Sequence, residues 1–327
     1  MGKWSHVLSA AILTVGICLG YGQEAHAMVG GKPVIGISWK SPKQAKSYEA
    51  FKKIITMAGG IPVELDQIKS TDVTYAADGT VDKAYVEPSG MLKQAYADKI
   101  RQDGFKRTNI KTVMQGIDGV FGTGGEDISP SLYKVPETEK NHGETINAAR
   151  DISDYALQDY CRRHDIPVLN VCRSEQMMGI VYGVTFIQDI PDYYKNQGVK
   201  AYKEIHRMAP GTPKRDYTHH AIRILPVKSK LRNIVGADTF DKVSSWHHQN
   251  ILSVEGTGLI QTAEYTDQGL SLIEGVEDPR RKFAVGLQFH PENDLKKVVL
   301  NHEDPKGYAD VDTCLAFFKA LVAASKK

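Results

Sequence analysis

Through the first half of the chain, short unbroken apolar runs alternate with stretches whose apolar residues recur at helical spacing. Residues 33–38 read as a buried strand. Residues 47–58 then place Tyr48, Phe51, Ile54, Ile55 and Ala58 on one side of a helix, which Gly59 and Gly60 stop. A second strand begins at residues 61–63, so the opening is β-α-β with a right-handed crossover. Residues 119–122 give a third strand, residues 150–164 an amphipathic helix, and residues 167–171 a fourth strand. Continuous apolar runs of this length characterise strands buried on both faces. The expected fold class is α/β, a doubly wound and mostly parallel central sheet with helices on both faces.

Two regions depart from this rhythm. Residues 66–108 are long and polar, with turn signals at Asp78-Gly79 and Pro88-Ser89-Gly90 and a helix expected over residues 91–101. They read as an insertion decorating the surface, with a lid as the alternative. The second half changes character. Residues 220–225 and, less regularly, 283–289 alternate as strands, and residues 310–324 close the chain with a helix burying Leu315, Phe318, Leu321 and Val322. One domain is expected over residues 28–327.

The charge balance, 41 basic against 39 acidic side chains, points to neither nucleic acid nor an anionic membrane surface. The first 27 residues read as an export signal: Lys3, an apolar run over residues 7–19, and a small-x-small site at Ala25-His26-Ala27. The expected product starts at Met28 and is periplasmic or extracellular, with no membrane association, because the apolar run is too short to span a bilayer comfortably. Ile17 ahead of Cys18 disfavours lipid attachment. Cys161, Cys172 and Cys314 remain, an odd and widely spaced set that makes no disulfide framework. A lone thiol in an exported chain wants a reason, and catalysis is one.

Residues 166–183 offer that reason. An apolar strand passes through Cys172 almost directly into a helical stretch, the geometry of a nucleophile elbow. The free N–H groups and positive dipole end of a helix N-terminus favour the thiolate, which is the nucleophilic form. Taken alone, a buried structural cysteine fits the same residues equally well. A thiol nucleophile needs a base and the base an orienting acceptor. His290 and Glu292, two apart at a strand's end with Pro291 between them, would share one face of an extended segment. His290 alone reads more readily as an ordinary polar residue at a strand terminus. His247 and His248 would point to opposite faces, and no cysteine or carboxylate stands at ligand spacing beside them, so no metal is expected.

Six elements in order now form a recognisable set: Thr-Gly-Gly-x-Asp at 123–127, Arg150-Asp151, Pro-Val-Leu-x-x-Cys-Arg-x-x-Gln at 167–176, Gln-Asp-Ile-Pro at 188–191, Ser-x-His-His-Gln at 245–249 and Gly-x-Gln-x-His-Pro-Glu at 286–292. From about Pro33 to Ala323 the chain resembles the gamma-glutamyl-gamma-aminobutyrate hydrolase family of the class I glutamine amidotransferase-like superfamily. The resemblance implies a flavodoxin-like fold and a Cys172-His290-Glu292 triad. It implies an oxyanion hole from the Gly125 and Arg173 backbone N–H groups, and a substrate pocket involving Gly124, Gln176, Ser245 and His247. A small gamma-glutamyl substrate would be cleaved through a thioester with no metal or organic cofactor, in a chain compatible with homo-oligomer formation.

The elbow departs from the family's Gly-x-Cys-x-Gly, reading Asn170-Val171-Cys172-Arg173-Ser174, and Glu175 adds a charge that would oppose the thiolate. Two rivals follow: a glutaminase component, which would need an ammonia-using synthase, and a catalytically weakened homologue that binds a gamma-glutamyl or cell-wall peptide.

Overall fold

The computed structural model describes residues 31–39, 45–104, 106–133, 145–200 and 202–327, so the expected export signal lies outside the described residues. Strands β1 (Val34–Ile37), β2 (Ile61–Glu64), β3 (Gly119–Gly122) and β4 (Val168–Val171) lie in the order β2-β1-β3-β4, all parallel. Helices α1 (Ala45–Met57), α2 (Gln94–Asp103), α3 (Ile110–Val113) and α4 (Ala148–His164) connect them. After β4 come α5 (Arg173–Tyr182), β5 (Thr185–Ile187), α6 (Ile190–Asn196), β6 (Thr218–Ile224), α7 (Lys230–Val235) and β7 (Thr239–Ser245). The chain finishes with β8 (Asn250–Ser253), β9 (Ile260–Asp267), β10 (Leu270–Glu277), β11 (Ala284–Leu287), α8 (Pro291–Asp294) and α9 (Val311–Ala324).

The central sheet has nine strands in the order β2-β1-β3-β4-β11-β10-β9-β6-β7. Strand β11 pairs parallel with β4 and antiparallel with β10. It is therefore the seam between a parallel half and an antiparallel half, the latter continuing through β9, β6 and β7. The sequence pattern anticipates the doubly wound half.

Both faces of the parallel half are covered. One carries α1 and α9, with Phe51, Phe121, Phe317 and Phe318 in its core. The other carries α4 and α5, with Ile152, Leu157, Met177 and Met178. The 66–108 insertion packs into that second core through Ile68, Leu92, Ala97 and Ile100. It is stitched down by the Leu92 N–H donating to Ser129 Oγ (2.9 Å) and Ser131 Oγ donating to the Leu92 carbonyl (2.5 Å). It behaves as part of the core rather than as a surface attachment.

Below the sheet's carboxyl edge Asp294 is buried against Ser244, whose Oγ donates to it at 2.7 Å. Burial raises its pKa to about 7. The folded group therefore keeps its proton to higher pH than the unfolded one. The stability it lends is complete below the unfolded carboxylate pKa and is lost as pH rises through about 7. Asp294→Asn, which cannot ionise, should flatten the decline in urea-unfolding stability between pH 4 and pH 8. An unchanged slope would show that Asp294 does not titrate there.

Candidate active site

Strand β4 ends at Val171 and α5 begins at Arg173, leaving Cys172 alone at the junction with φ 49° and ψ −112°. A residue with a Cβ seldom occupies that region, and such strain persists only where the surroundings enforce it. Here the Cys172 N–H donates to the Leu287 carbonyl (2.8 Å), and its carbonyl accepts from the Gln176 N–H (3.0 Å). The thiol is nearly buried, its Sγ 3.7 Å from the Trp246 carbonyl. Cys161 and Cys314 are buried too, and desolvation pushes both thiols up, away from reactivity.

The unusual elbow residues are accommodated. Asn170 and Gln158 exchange two amide hydrogen bonds, at 2.7 and 3.0 Å, tying β4 to α4. Ser174 Oγ donates to the Thr123 carbonyl at 2.8 Å. Room for both comes from Gly122 on β3. A Cβ there would lie 2.7 Å from Ser174 Cβ and closer still to Asn170 Oδ1. Ser174→Gly should cost about 1–2 kcal/mol, from one hydrogen bond and a helical glycine, with kcat little changed. Gly122→Ala should cost about 1–3 kcal/mol by overpacking, and less in a chain already carrying Asn170→Gly and Ser174→Gly. Urea unfolding of the four chains tests this; equal Gly122→Ala costs in both backgrounds would refute it.

Glu175 does not bring the charge expected of it. It is fully buried, with neither carboxylate oxygen hydrogen-bonded among the described residues. Burial, then the neighbouring Glu274 and Cys172, push its pKa well up, which favours the neutral acid.

His290 stands just past β11, beside the strand that carries Cys172. Its N–H donates to the Ser244 carbonyl (2.8 Å), and its Nδ1 lies 2.6 Å from Glu292 Oε1. The pairing arises differently from the sequence expectation. The strand ends at Leu287, and Pro291 opens the short helix α8 at its first position, so Glu292 reaches back from a helical turn. Burial disfavours the imidazolium. Tyr217, Glu292 and Cys172 outweigh it and hold the His290 pKa well above the histidine range. Nε2 has no hydrogen-bond partner among the described residues, leaving it available to a reacting group.

The turn after β3 is fixed from beneath by Arg150, a fully buried guanidinium. It donates to Glu126 (2.7 Å), Asp154 (3.2 Å), Thr123 Oγ1 (3.0 Å) and the Gly124 carbonyl (2.8 Å). Burial would raise the Glu126 pKa, but Arg150 and Arg173 lower it to about 2. A Cβ on Gly125 would lie 2.7 Å from Arg150 Cζ, so this position must be glycine. The Arg173 side chain is likewise buried, on Asp151 (2.5 Å) and Asp154 (2.9 Å). That leaves its backbone N–H, in the first turn of α5, among those with no helical partner.

His248 binds Asp189 through Nδ1 (3.0 Å) and Asp127 through Nε2 (3.0 Å), joining three of the sequence elements. Burial lowers its pKa, but the two carboxylates prevail and raise it to about 9. Gln176 donates to the Gln249 carbonyl (3.2 Å) and to Gln288 (2.9 Å) at the floor. Ser245 requires a correction. It is fully buried, its hydroxyl donates to the His206 carbonyl (2.9 Å), and it does not line the cleft. His247 borders the cleft, but its Nδ1 is engaged by the Gln249 carbonyl (3.0 Å) and its Nε2 faces Glu274 (3.7 Å), away from any substrate.

Two lobes meet at Cys172, Gly125 and Trp246. The polar lobe is bordered by Glu126, Asp127, Gln176, Arg207, His248 and Gln249. The other lobe is aromatic, with Phe51 and Tyr217 beside Gly124, His290 and Glu292. Tyr217 stacks edge-on to His290 (5.0 Å) and Trp246 (5.3 Å). Sequence reasoning brought together Cys172, His290, Glu292, Gly124, Gly125 and Gln176. It missed Arg207, Tyr217, Trp246 and the Asp127–His248–Asp189 bridge, although Asp127, Asp189 and His248 each sit in a quoted element.

A family model described as Peptidase C26 matches residues 100–292. The chain is 31% identical over 241 residues to Protein NtpR of Enterococcus hirae, covering 73% of this chain and 90% of that one. It is 30% identical over 213 residues to Putative glutamine amidotransferase PB2B2.05 of Schizosaccharomyces pombe, covering 65% and 75%. It is 29% identical over 275 residues to Putative glutamine amidotransferase-like protein RP404 of Rickettsia prowazekii, covering 72% and 89%.

Proposed function

Since the chain belongs to the peptidase C26 family, we propose that it is a cysteine hydrolase cleaving the gamma-glutamyl amide bond of a small compound or peptide through a glutamyl thioester. The observation that carries this is Cys172, held at a positive-φ strand–helix junction in one cleft with a histidine 2.6 Å from its orienting carboxylate. The raised pKa of His290 suits it to take the Cys172 proton and hold it as an imidazolium. The thiolate attacks the gamma-carbonyl carbon, and the carbonyl electron pair moves onto oxygen. The Gly125 and Arg173 N–H groups receive that oxyanion, donors worth on the order of 3 kcal/mol each in such sites. As the C–N bond breaks, His290 gives its proton to the departing amine. Water then attacks the thioester with His290 as base, and glutamate leaves.

The two lobes suit the two halves of such a substrate. A glutamyl head carries a carboxylate and an ammonium, which Arg207 and the Glu126–Asp127 carboxylates would bind. The aromatic lobe would take the amine. The names of the relatives keep a glutaminase reading alive, with ammonia as the leaving group and the same thioester. The snug fit of Asn170 and Ser174 speaks against a weakened binder.

A panel of gamma-glutamyl amides and peptides, with glutamine, should give turnover and a mass-detectable glutamyl adduct, both absent in Cys172→Ala. Turnover of glutamine alone would move the assignment to the glutaminase. Neither turnover nor adduct with any of them would overturn both. Export is part of the proposal, resting on the first 27 residues. Protein from its native host should begin at Met28, and an intact Met1 on the mature protein would refute it.

A further inference from the structure

Behind the cleft wall four side chains that the reaction does not use converge on one point. They are His206 in the loop before β6, His220 on β6, His247 just past β7 and Glu274 on β10. All four are buried, and their potential ligand atoms lie within 4.8 Å of one another. Glu274 Oε1 is 3.3 Å from His206 Nδ1, 3.7 Å from His220 Nε2 and 3.7 Å from His247 Nε2. The sequence hid this set because its carboxylate comes from a strand far along the chain from the histidines' own elements.

Hydrogen bonding fixes two of the rings. His220 Nδ1 faces the Ala221 carbonyl at 3.2 Å, and His247 Nδ1 faces the Gln249 carbonyl at 3.0 Å. A carbonyl only accepts, so Nδ1 carries the proton in each ring. A neutral ring then presents Nε2 inward as a lone pair, toward a carboxylate that is also lone pairs. No hydrogen bond can form between them. Among the described residues, His220 Nε2, His247 Nε2, both ring nitrogens of His206 and both oxygens of Glu274 have no hydrogen-bond partner. Buried polar atoms left this way are costly and rare. Adding protons would gather imidazolium rings whose centres are 4.7 and 4.8 Å apart around one carboxylate. A single cation satisfies every inward lone pair at once.

We infer that His206, His220, His247 and Glu274 form a closed structural site for a divalent transition metal, zinc by its donor set. Three imidazole nitrogens and one carboxylate oxygen are donors zinc takes in tetrahedral array. Bonds of about 2.0–2.2 Å put tetrahedral ligand atoms roughly 3.3–3.5 Å apart. The His206–Glu274 spacing of 3.3 Å already meets that, the two of 3.7 Å need to close by a few tenths, and the widest pair, within 4.8 Å, by about 1.3 Å. The carbonyls on His220 and His247 are the outer partners that orient metal-bound imidazoles. Four protein ligands leave no open position, so the role is to hold structure. The ion would clamp β6, β10 and the His206 loop to residues 245–249, which carry Trp246, His248 and Gln249 into the cleft.

The test uses the full chain in a Cys172→Ala background, so that the catalytic thiol cannot ligate the probe. Zinc measured by inductively coupled plasma mass spectrometry after passage over a chelating resin should approach one ion per chain. Cobalt(II) added to chelator-stripped protein should give the intense visible bands of a tetrahedral site without thiolate charge transfer, displaced by zinc. Zinc should raise the Tm of stripped protein. Glu274→Ala and His220→Ala should each lose the bands and the ion. Should these variants fail to fold, the cobalt spectrum and zinc-dependent Tm of the unsubstituted cluster decide alone. Substoichiometric zinc with no tetrahedral cobalt bands, or bands persisting in a folded His220→Ala chain, would overturn the assignment.

Discussion

Cys172→Ala is expected to lower kcat on the best gamma-glutamyl substrate by at least about 10⁴-fold while leaving the circular dichroism spectrum unchanged. The substitution removes one sulfur atom that lies a long 3.7 Å from the Trp246 carbonyl. His290→Ala should be comparably severe, because without it the thiol loses its base and the departing amine its acid. The Cys172→Ala/His290→Ala pair should be little worse than either alone, since triad members act as a unit. Glu292→Gln should be milder, keeping an acceptor near Nδ1 but not the charge that steadies the imidazolium. Cys172→Gly adds a contrast. Glycine accepts φ 49° without strain. That chain should be inactive yet at least as stable as the alanine variant, despite glycine's extra unfolded-state entropy. Normal hydrolysis by Cys172→Ala would end the mechanism proposed.

The second large effect belongs to Gly125→Ala. The new Cβ would press on a guanidinium that is fully buried and held by Glu126, Asp154, Thr123 and Gly124. Arg150 cannot yield without stranding those carboxylates, and breaking a buried pair costs about 3–5 kcal/mol. The turn must yield instead, carrying the Gly125 N–H off the oxyanion. We expect kcat to fall about 10²–10³-fold with KM little altered, because that donor acts mainly in the transition state. A stability loss of about 1–3 kcal/mol should accompany it. Unchanged kcat in a folded Gly125→Ala chain would remove Gly125 from the oxyanion hole.

The contrast between what the sequence revealed and what it concealed has a physical origin. Strands β1, β3 and β4 are buried on both faces and written as short apolar runs, so β3 was read to its exact residues, Gly119–Gly122. Strands β9 and β10 are not written so. They bury Thr262, Glu264, Glu274 and Glu277, and polar residues facing inward erase the alternation by which a strand is recognised. The Cys172 elbow and the His290–Glu292 pair are local, each carried by a few consecutive residues. Asp127–His248–Asp189 and the three histidines around Glu274 are joined only by folding. The misassignment of Ser245, implied by the resemblance, has the same root: membership of a sequence element says nothing about which way a buried hydroxyl points.

The seam at β11 divides the labour of the molecule. Leu287 pairs in register with Val171 and receives the Cys172 N–H, so nucleophile and base ride on two strands locked together by their own backbone bonds. Trp246, His248 and Gln249 follow β7, at the far edge of the antiparallel half. Arg207 and Tyr217 come from the segment leading into β6. The reacting atoms are thus anchored to one frame, and Arg207, Tyr217 and Trp246 border the cleft from another. On the proposed function, substitutions at Arg207 or Trp246 can change which substrate is accepted while β4 and β11 stay locked together, a route to new substrates that leaves the nucleophile and base in place.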